Sequence, residues 1–198
     1  MSVSPAATVR SSRSSHRAQH ASPAPAHRTR IPLAYNVTVG DVMNRAPVTI
    51  GPKASLFDAL MLMRVHDISG LPVVDAAQSV VGVLSQKDLG RNLGVALDLP
   101  DTKGLLDVLL AGIQSDSETF LKKFRMALDR TTVESAMSHP AFVTQADASL
   151  ELVIEVMSEN SINRLPVVER NRLVGIVTPT DLVSAAFRTY PDRLDKYP

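Results

Sequence analysis

Two stretches of the chain carry the same order of apolar and polar positions. In the first, apolar residues at positions 56, 59, 60 and 63 have helical spacing, and the β-branched runs 71–74 and 80–84 follow, joined by a short polar turn. In the second, positions 150, 153, 154 and 157 repeat the helix, and runs 165–168 and 173–177 repeat the two strands. The pattern therefore predicts a helix followed by a β-hairpin, twice.

The flanking segments complete a larger unit. Apolar residues at 48–50 and 142–144 predict a short strand before each helix, and Ser55 and Ser149 stand where an N-cap belongs. Second helices are expected to begin after Ser85 and Thr178. The predicted order is β-α-β-β-α, occurring twice in a fold of the mixed α/β (α+β) class.

An internal repeat supports this order, since a fixed period is typical of duplicated units. A shift of 94 positions superposes Met43 on Met137 and residues 71–74 on 165–168. The shift then drops to 93, which brings Asp88 onto Asp181. The lost residue falls in the polar hairpin turn, where a change of length is tolerated.

An insertion at residues 93–132 separates the two repeats. Phe120, Phe124 and Leu128 follow one another at intervals of four residues, which predicts an amphipathic helix. Two interpretations stay open for this segment. It is either a connector that packs its apolar face on the repeats, or an arm that docks a partner or gates a ligand.

Composition excludes several classes of function. The 198 residues include no cysteine, so disulfides, a thiol nucleophile and thiolate metal ligands are excluded. The apolar runs fall far short of the roughly 20 residues that a transmembrane helix needs, so no membrane span is expected. The chain also offers no Gly-rich phosphate loop and no Gly-X-Ser-X-Gly motif, and His139 has no evident catalytic partners. We therefore expect no catalysis.

Charge is distributed unevenly. The formal net charge is +1, yet residues 1–40 hold five arginines and no acid, so the rest of the chain is mildly acidic and no nucleic-acid partner is predicted. Residues 1–36 are predicted to be a disordered tail on a cytoplasmic protein. Alternatively they are a transit peptide for the plastid stroma or mitochondrial matrix, since these are also Arg-rich, Ser-rich and poor in acids. The histidines of this tail, His16, His20 and His27, are predicted to be solvated, and no metal site is expected.

The strings GLPVVD at 70–75 and RLPVVE at 164–169, each followed by a hairpin and a Ser/Thr-X-X-Asp motif, resemble the cystathionine-β-synthase (CBS) domain. DVMN at 41–44 and SAMS at 135–138 look like the leading segment of that family. The resemblance implies repeats at 37–92 and 133–190, a C-terminal tail at 191–198, and a pseudo-twofold pair known as a Bateman module. It also implies clefts that hold adenine nucleotides.

The resemblance assigns the acid of each Ser/Thr-X-X-Asp motif, Asp88 and Asp181, to the ribose diol. A carboxylate can accept from both ribose hydroxyls in charge-assisted bonds. The same motif is also a capping box at the start of a helix, and that alternative stays open.

The remaining expected contacts divide into base and phosphate subsites. The resemblance implies a base slot where the first strand meets the residues before Leu-Pro-Val-Val. Phosphates need cations, and the candidates are Lys87, Arg91, His66 and Arg164. Arg164 stands where relatives often carry a phosphate-binding residue. The predicted nucleotide-binding set is Thr49, Ile50, Ile68, Gly70, Leu71, Pro72, Ser85, Lys87, Asp88, Thr144, Ile162, Arg164, Leu165, Pro166, Thr178, Thr180 and Asp181.

The sequence therefore predicts a non-catalytic regulatory module without a cofactor, which binds AMP, ADP, ATP or S-adenosylmethionine and modulates a partner protein. The alternative is a structural dimerisation or scaffold module without ligand sensing. A homodimer is expected in either case, because the helices carry aliphatic residues on more than one side, including Leu60, Leu62, Val153 and Val156.

Overall fold

The computed structural model describes residues 37–99, 103–114 and 117–189. The predicted tails at 1–36 and 191–198 lie outside the described residues. Within the described ranges the elements are α1 (Val39–Val42), α2 (Leu56–Val65), β1 (Gly70–Val74), β2 (Val80–Ser85), α3 (Gln86–Ala96), α4 (Leu105–Gln114), α5 (Ser117–Arg130), α6 (Val133–Ala136), α7 (Leu150–Asn160), β3 (Leu165–Glu169), β4 (Arg172–Val177) and α8 (Pro179–Thr189).

Both predicted hairpins are present. Strand β1 pairs antiparallel with β2, with Leu71 opposite Leu84, and β3 pairs in the same way with β4, with Leu165 opposite Val177. Each hairpin has one register irregularity near the end of its first strand. The repeat in the sequence is thus a repeat in strand pairing.

The short strands predicted at 48–50 and 142–144 are each reduced to a single parallel bridge. Ile50 donates its N–H to the Pro72 carbonyl at 3.2 Å and accepts from Val74 N–H at 3.0 Å. The next bond of a parallel ladder would need an N–H from Pro72, which proline lacks. Thr144 is bridged in the same way beside Pro166, so the proline in each Leu-Pro-Val-Val string ends the ladder there.

The helices begin where the sequence predicts. The Ser55 hydroxyl accepts from the Asp58 amide at 3.1 Å at the start of α2, and the Ser149 hydroxyl accepts from the Leu152 amide at 3.3 Å at the start of α7. Pro179 is the first residue of α8, a position where its missing N–H breaks no helical bond. The two serine hydroxyls thus supply acceptors for amides that a helix start leaves unpaired.

The leading segment of each repeat packs on the other repeat. Val39 in α1 donates its N–H to the Ala148 carbonyl at 3.0 Å, and Val133 in α6 donates to the Ala54 carbonyl at 2.9 Å. Both valine side chains are fully buried in the core to which they are hydrogen-bonded. Each hydrophobic core therefore contains a piece of chain from the far side of the insertion.

The apolar side chains form two cores. The first core consists of Ile50, Leu56, Ala59, Met63, Leu71, Val73, Leu84, Leu89, Leu93, Val108, Leu128, Val133 and Ala136. The second core consists of Val39, Met43, Leu150, Val153, Met157, Leu165, Val167, Val177, Leu182 and Ala185. Val153, expected on an outer apolar face, is instead fully buried because it lies on the inner side of α7. Leu60, Leu62 and Val156 are half-buried against the cores.

The insertion forms helices α4 and α5, which pack on the first core. Val108 and Leu128 are almost completely buried, and the rings of Phe120 and Phe124 stack with centroids 5.9 Å apart. This matches the helical face predicted from their spacing. None of the helices in the described ranges has both the length and the apolar character needed to span a bilayer.

Candidate functional site

A large open cleft of about 1360 Å³ lies between the two repeats. One wall is the start of α3 in the first repeat, and the other is the turn between α7 and β3 in the second repeat. The leading segment of the second repeat closes the third side. The lining residues that carry the argument below are Ser69, Ser85, Asp88, Arg91, Ser138, Ile162 and Arg164.

Asp88 lies at the floor of this cleft and is only 4% exposed. Its Oδ2 accepts from the amide and hydroxyl of Ser85, at 2.9 and 2.5 Å, which completes a capping box at the start of α3. Its Oδ1 accepts from the Arg91 guanidinium and, at 3.2 Å, from the Ser138 hydroxyl. The carboxylate thus caps its own helix and bonds to the other repeat's leading segment.

Arg164 reaches across the interface between the repeats. Its Nη2 donates to the Ser69 hydroxyl at 2.9 Å, while Nε and Nη2 donate to the Asn163 side-chain oxygen at 3.1 and 3.0 Å. Burial lowers the pKa of the guanidinium, and the Asp88 carboxylate acts in the opposite direction. An arginine remains cationic at neutral pH, so the cleft contains a fixed positive charge that is 9% exposed.

Gly70 is the position in the first repeat that matches Arg164, and the two residues lie against each other. A Cβ at Gly70 would overlap the Arg164 guanidinium and lie 2.6 Å from the Leu84 carbonyl oxygen. The absence of a side chain at position 70 therefore makes room for the arginine. Only one of these two equivalent positions contributes a cation to the interface.

Asp181 repeats part of the Asp88 arrangement. Its Oδ2 accepts from the amide and hydroxyl of Thr178, at 2.8 and 2.6 Å, at the start of α8. The carboxylate is half-buried, and Thr180 beside it is exposed. Both acids of the predicted ribose motif thus serve as helix caps in this structure.

The structure brings together five predicted site residues in the cleft: Ser85, Lys87, Asp88, Ile162 and Arg164. Leu71 and Leu165 are fully buried in the two cores, and Ile50, Pro72 and Pro166 are buried as well. Thr49, Thr144 and Ile68 are half-buried, the last against the first core. Strand alternation directs every second residue of β1 and β3 into a core, which accounts for the two leucines.

Sequence reasoning did not include Ser138, Ser69 or Asn163 in the site. Ser138 reaches Asp88 only because the leading segments cross to the opposite repeat, and Ser69 and Asn163 act through Arg164. Ser69 and Asn163 are equivalent residues that directly precede Gly70 and Arg164. The repeat alignment could therefore have indicated that both lie near the site. Within the described ranges, no group of three or more His, Asp or Glu side chains is placed to hold a metal ion.

Two βαββα-like halves with exchanged leading segments, enclosing a polar cleft beside a Ser/Thr-X-X-Asp helix start, define the class of tandem CBS-domain pairs. The CBS domain family model matches residues 39–94 and 133–188, more than half of the chain. The protein belongs to the CBS domain family.

The chain is also similar to individual proteins over most of its length. The uncharacterized protein MJ1426 of Methanocaldococcus jannaschii is 31% identical over 74% of this chain and 89% of its own length. The crystal structure of the CBS-pair protein CBSX2 from Arabidopsis thaliana is 26% identical, with a TM-score of 0.61 over 79% of this chain and 99% of that chain. A structure of CBSX2 in complex with AMP is 27% identical, with a TM-score of 0.56 over 78% of this chain and 98% of that chain.

Proposed function

We propose that the protein is a non-catalytic regulatory module that binds an adenine nucleotide in the cleft between its repeats. The observation that carries the proposal is the meeting of Asp88 from one repeat with Ile162 and Arg164 from the other in a single cleft. These residues offer a carboxylate for a ribose diol, an apolar surface for a base and a cation for a phosphate. The AMP complex of CBSX2 supports the choice of ligand class.

The proposed contacts follow from the positions of the groups. The base lies against Ile162, the ribose hydroxyls reach Asp88, and the phosphate meets Arg164 and the exposed Lys87. Arg164 suits a phosphate because its orientation is already fixed by Asn163 and Ser69, which lowers the entropy lost on binding. We propose that a second, equivalent cleft lies at the start of α8, where Asp181 and Thr178, with Ile68 and Thr180, have the same role.

Regulation would follow by linkage. A ligand that contacts both repeats favours the inter-repeat geometry that it fits better, and it shifts that equilibrium by no more than its difference in affinity for the two states. We propose that a partner protein reads this geometry, with AMP, ADP, ATP and S-adenosylmethionine as the ligands to be compared.

Calorimetry of the full chain with these four ligands tests the proposal. Asp88→Ala and Arg164→Ala should each weaken binding at the Asp88 cleft at least tenfold, because each removes a charge-assisted contact, while any binding at Asp181 should remain. Arg64→Met, which removes an exposed arginine from α2 outside the cleft, is the matched control and should bind as the parent does. If the parent binds none of the four ligands, the proposal is rejected.

A second candidate function is self-association without ligand sensing, and helix α4 favours it. Leu106, Leu109, Leu110 and Ile113 follow one another at i, i+3, i+4 and i+7 and all point outward, with Ile113 80% exposed. Such a stripe can pair with its own copy about a twofold axis. Light scattering tests this, since Leu109→Glu with Ile113→Glu should reduce a dimer to a monomer, whereas Gln114→Glu on the same helix should not.

A further inference from the structure

The Asp88 carboxylate has no open acceptor position. It accepts four hydrogen bonds, two from Ser85 on Oδ2 and one each from Ser138 and Arg91 on Oδ1. A carboxylate offers about four lone-pair sites, so this set fills them. A ribose diol can therefore bond to Asp88 only if one of these donors leaves.

Arg91 is the donor that can leave most easily. Ser85 is fixed because it is the N-cap of α3, where its hydroxyl accepts a hydrogen bond from the Asp88 amide. Ser138 is fixed because its backbone exchanges hydrogen bonds with Val83, at 3.1 and 2.9 Å. Arg91 has a long side chain that is 58% exposed, so its guanidinium can turn into solvent without a change in the backbone, although Asp88 itself is buried. Its guanidinium thus holds the place that a diol hydroxyl would take.

The second repeat has no such competitor. Asp181 accepts only from Thr178, on Oδ2, and its Oδ1 has no donor among the residues that the structure describes. The position equivalent to Arg91 is Ser184, which carries no positive charge, and no hydrogen bond from Ser184 to Asp181 is present among the residues that the structure describes. Asp88 and Asp181 therefore differ in whether an arginine stands three residues later in the sequence.

We propose, on the basis of the proposed function, that Arg91 is a specificity-determining residue that makes the Asp88 cleft select nucleoside phosphates over nucleosides. Any ligand whose diol takes Oδ1 deprives Arg91 of its anion. A ligand that carries a phosphate supplies a new anion within the same cleft, while an uncharged nucleoside supplies none. Arg164 strengthens phosphate binding whether or not Arg91 is present. A change in the preference for AMP over adenosine on substitution of Arg91 therefore reports the contribution of Arg91 alone.

Titration calorimetry with AMP and adenosine tests the proposal in the Asp181→Ala background, where only the Asp88 cleft reports. The parent should bind AMP more tightly than adenosine. Arg91→Met, which keeps a long side chain but removes its charge, should strengthen adenosine binding by about fivefold to tenfold, as expected when the ribose no longer has to displace a charge-assisted bond. The ratio of AMP to adenosine affinity should fall by at least that factor. Arg64→Met should leave both affinities unchanged.

The reverse substitution provides an independent check. In an Asp88→Ala background, Ser184→Arg should lower the adenosine affinity of the remaining Asp181 cleft by a similar factor. An unchanged AMP-to-adenosine ratio in Arg91→Met, or equal weakening of both ligands, would overturn the role of Arg91 and leave the proposed function standing. A parent that binds neither AMP nor ATP would reject the proposed function and this inference with it.

Discussion

At the scale of single residues, Gly70 and Arg164 form a close contact between the two repeats, because the glycine has no side chain to occupy the space of the guanidinium. The repeat alignment reveals that glycine and arginine are equivalent, and it predicts that the two clefts differ in charge. It could not reveal that the arginine lies over the glycine, because that contact depends on how the repeats pack on each other. In the structure, the Arg164 guanidinium occupies the space that a side chain at position 70 would fill.

Gly70→Ala tests this packing. We expect the variant to lose about 1–3 kcal/mol of unfolding free energy, since the new methyl group overlaps the Arg164 guanidinium and approaches the Leu84 carbonyl oxygen. Gly51→Ala is the control, because a Cβ there meets no atom within 4 Å. Urea denaturation measures both. A double variant with Arg164→Ala should recover part of the loss, and strict additivity of the two substitutions would contradict the proposed contact.

A second residue-scale prediction concerns Asp41 in the leading segment. The Thr38 amide and hydroxyl donate to its Oδ2 at 2.8 and 2.9 Å, and these two bonds lower the pKa of the carboxyl below its ordinary value. Desolvation opposes them, and the nearby Arg45 adds a further lowering. A depressed folded-state pKa means that the ionised group adds stability above the unfolded pKa and loses it as pH falls through the folded pKa.

Asp41→Asn should therefore be less stable than the parent at neutral pH. The gap in stability should begin to narrow as the pH falls below about 4, the ordinary aspartate pKa, and should be lost as the pH falls through the lowered pKa of the folded parent. Urea midpoints measured from pH 7 to pH 3 test the gap. Carbon-13 NMR titration of the carboxyl gives the pKa directly. A titration midpoint at or above that of an unstructured aspartate would contradict the prediction.

At the scale of elements, the parts that the sequence predicted are those determined by local spacing. Helix starts at Ser55 and Ser149 and both hairpins depend on neighbours a few residues away, so periodicity and capping residues suffice. The strands at 48–50 and 142–144 shrink to single bridges because Pro72 and Pro166, on the facing strands, lack an N–H. That outcome depends on which strand lies opposite, which is a property of the fold.

The insertion helices provide the element-scale prediction. Leu128 of α5 is 2% exposed in the first core, whereas Leu121 of the same helix is 61% exposed. Leu128→Ala should cost about 2–5 kcal/mol through lost burial and the cavity that remains. Leu121→Ala should change stability by no more than about 0.5 kcal/mol. Chemical denaturation compares them, and equal effects would show that α5 is not an integral part of that core.

At the scale of the whole molecule, the leading segments and helix α3 connect the parts. Val39 and Val133 complete cores on the opposite repeats, so neither repeat holds all of its own core. Helix α3 begins with the cleft residues Ser85 and Asp88 and then packs on the insertion, where a Cβ at Gly90 would overlap the Gly104 backbone. We therefore expect a change at the cleft end of α3 to reach α4 through this backbone contact, without a flexible side chain in between.

This connection predicts a response of the insertion to ligand. Saturating AMP should slow amide hydrogen exchange at residues 85–92, at the cleft end of α3, and should also change exchange in the insertion, at residues 105–114 of α4 and 117–128 of α5. Elements with exposed outer faces open at lower free energy, so they report small shifts in packing most sensitively. Asp88→Ala with the same AMP concentration is the control and should show neither change. Protection confined to residues 85–92 would mean that the cleft binds nucleotide without signalling to the insertion, and it would favour the association module over the regulator.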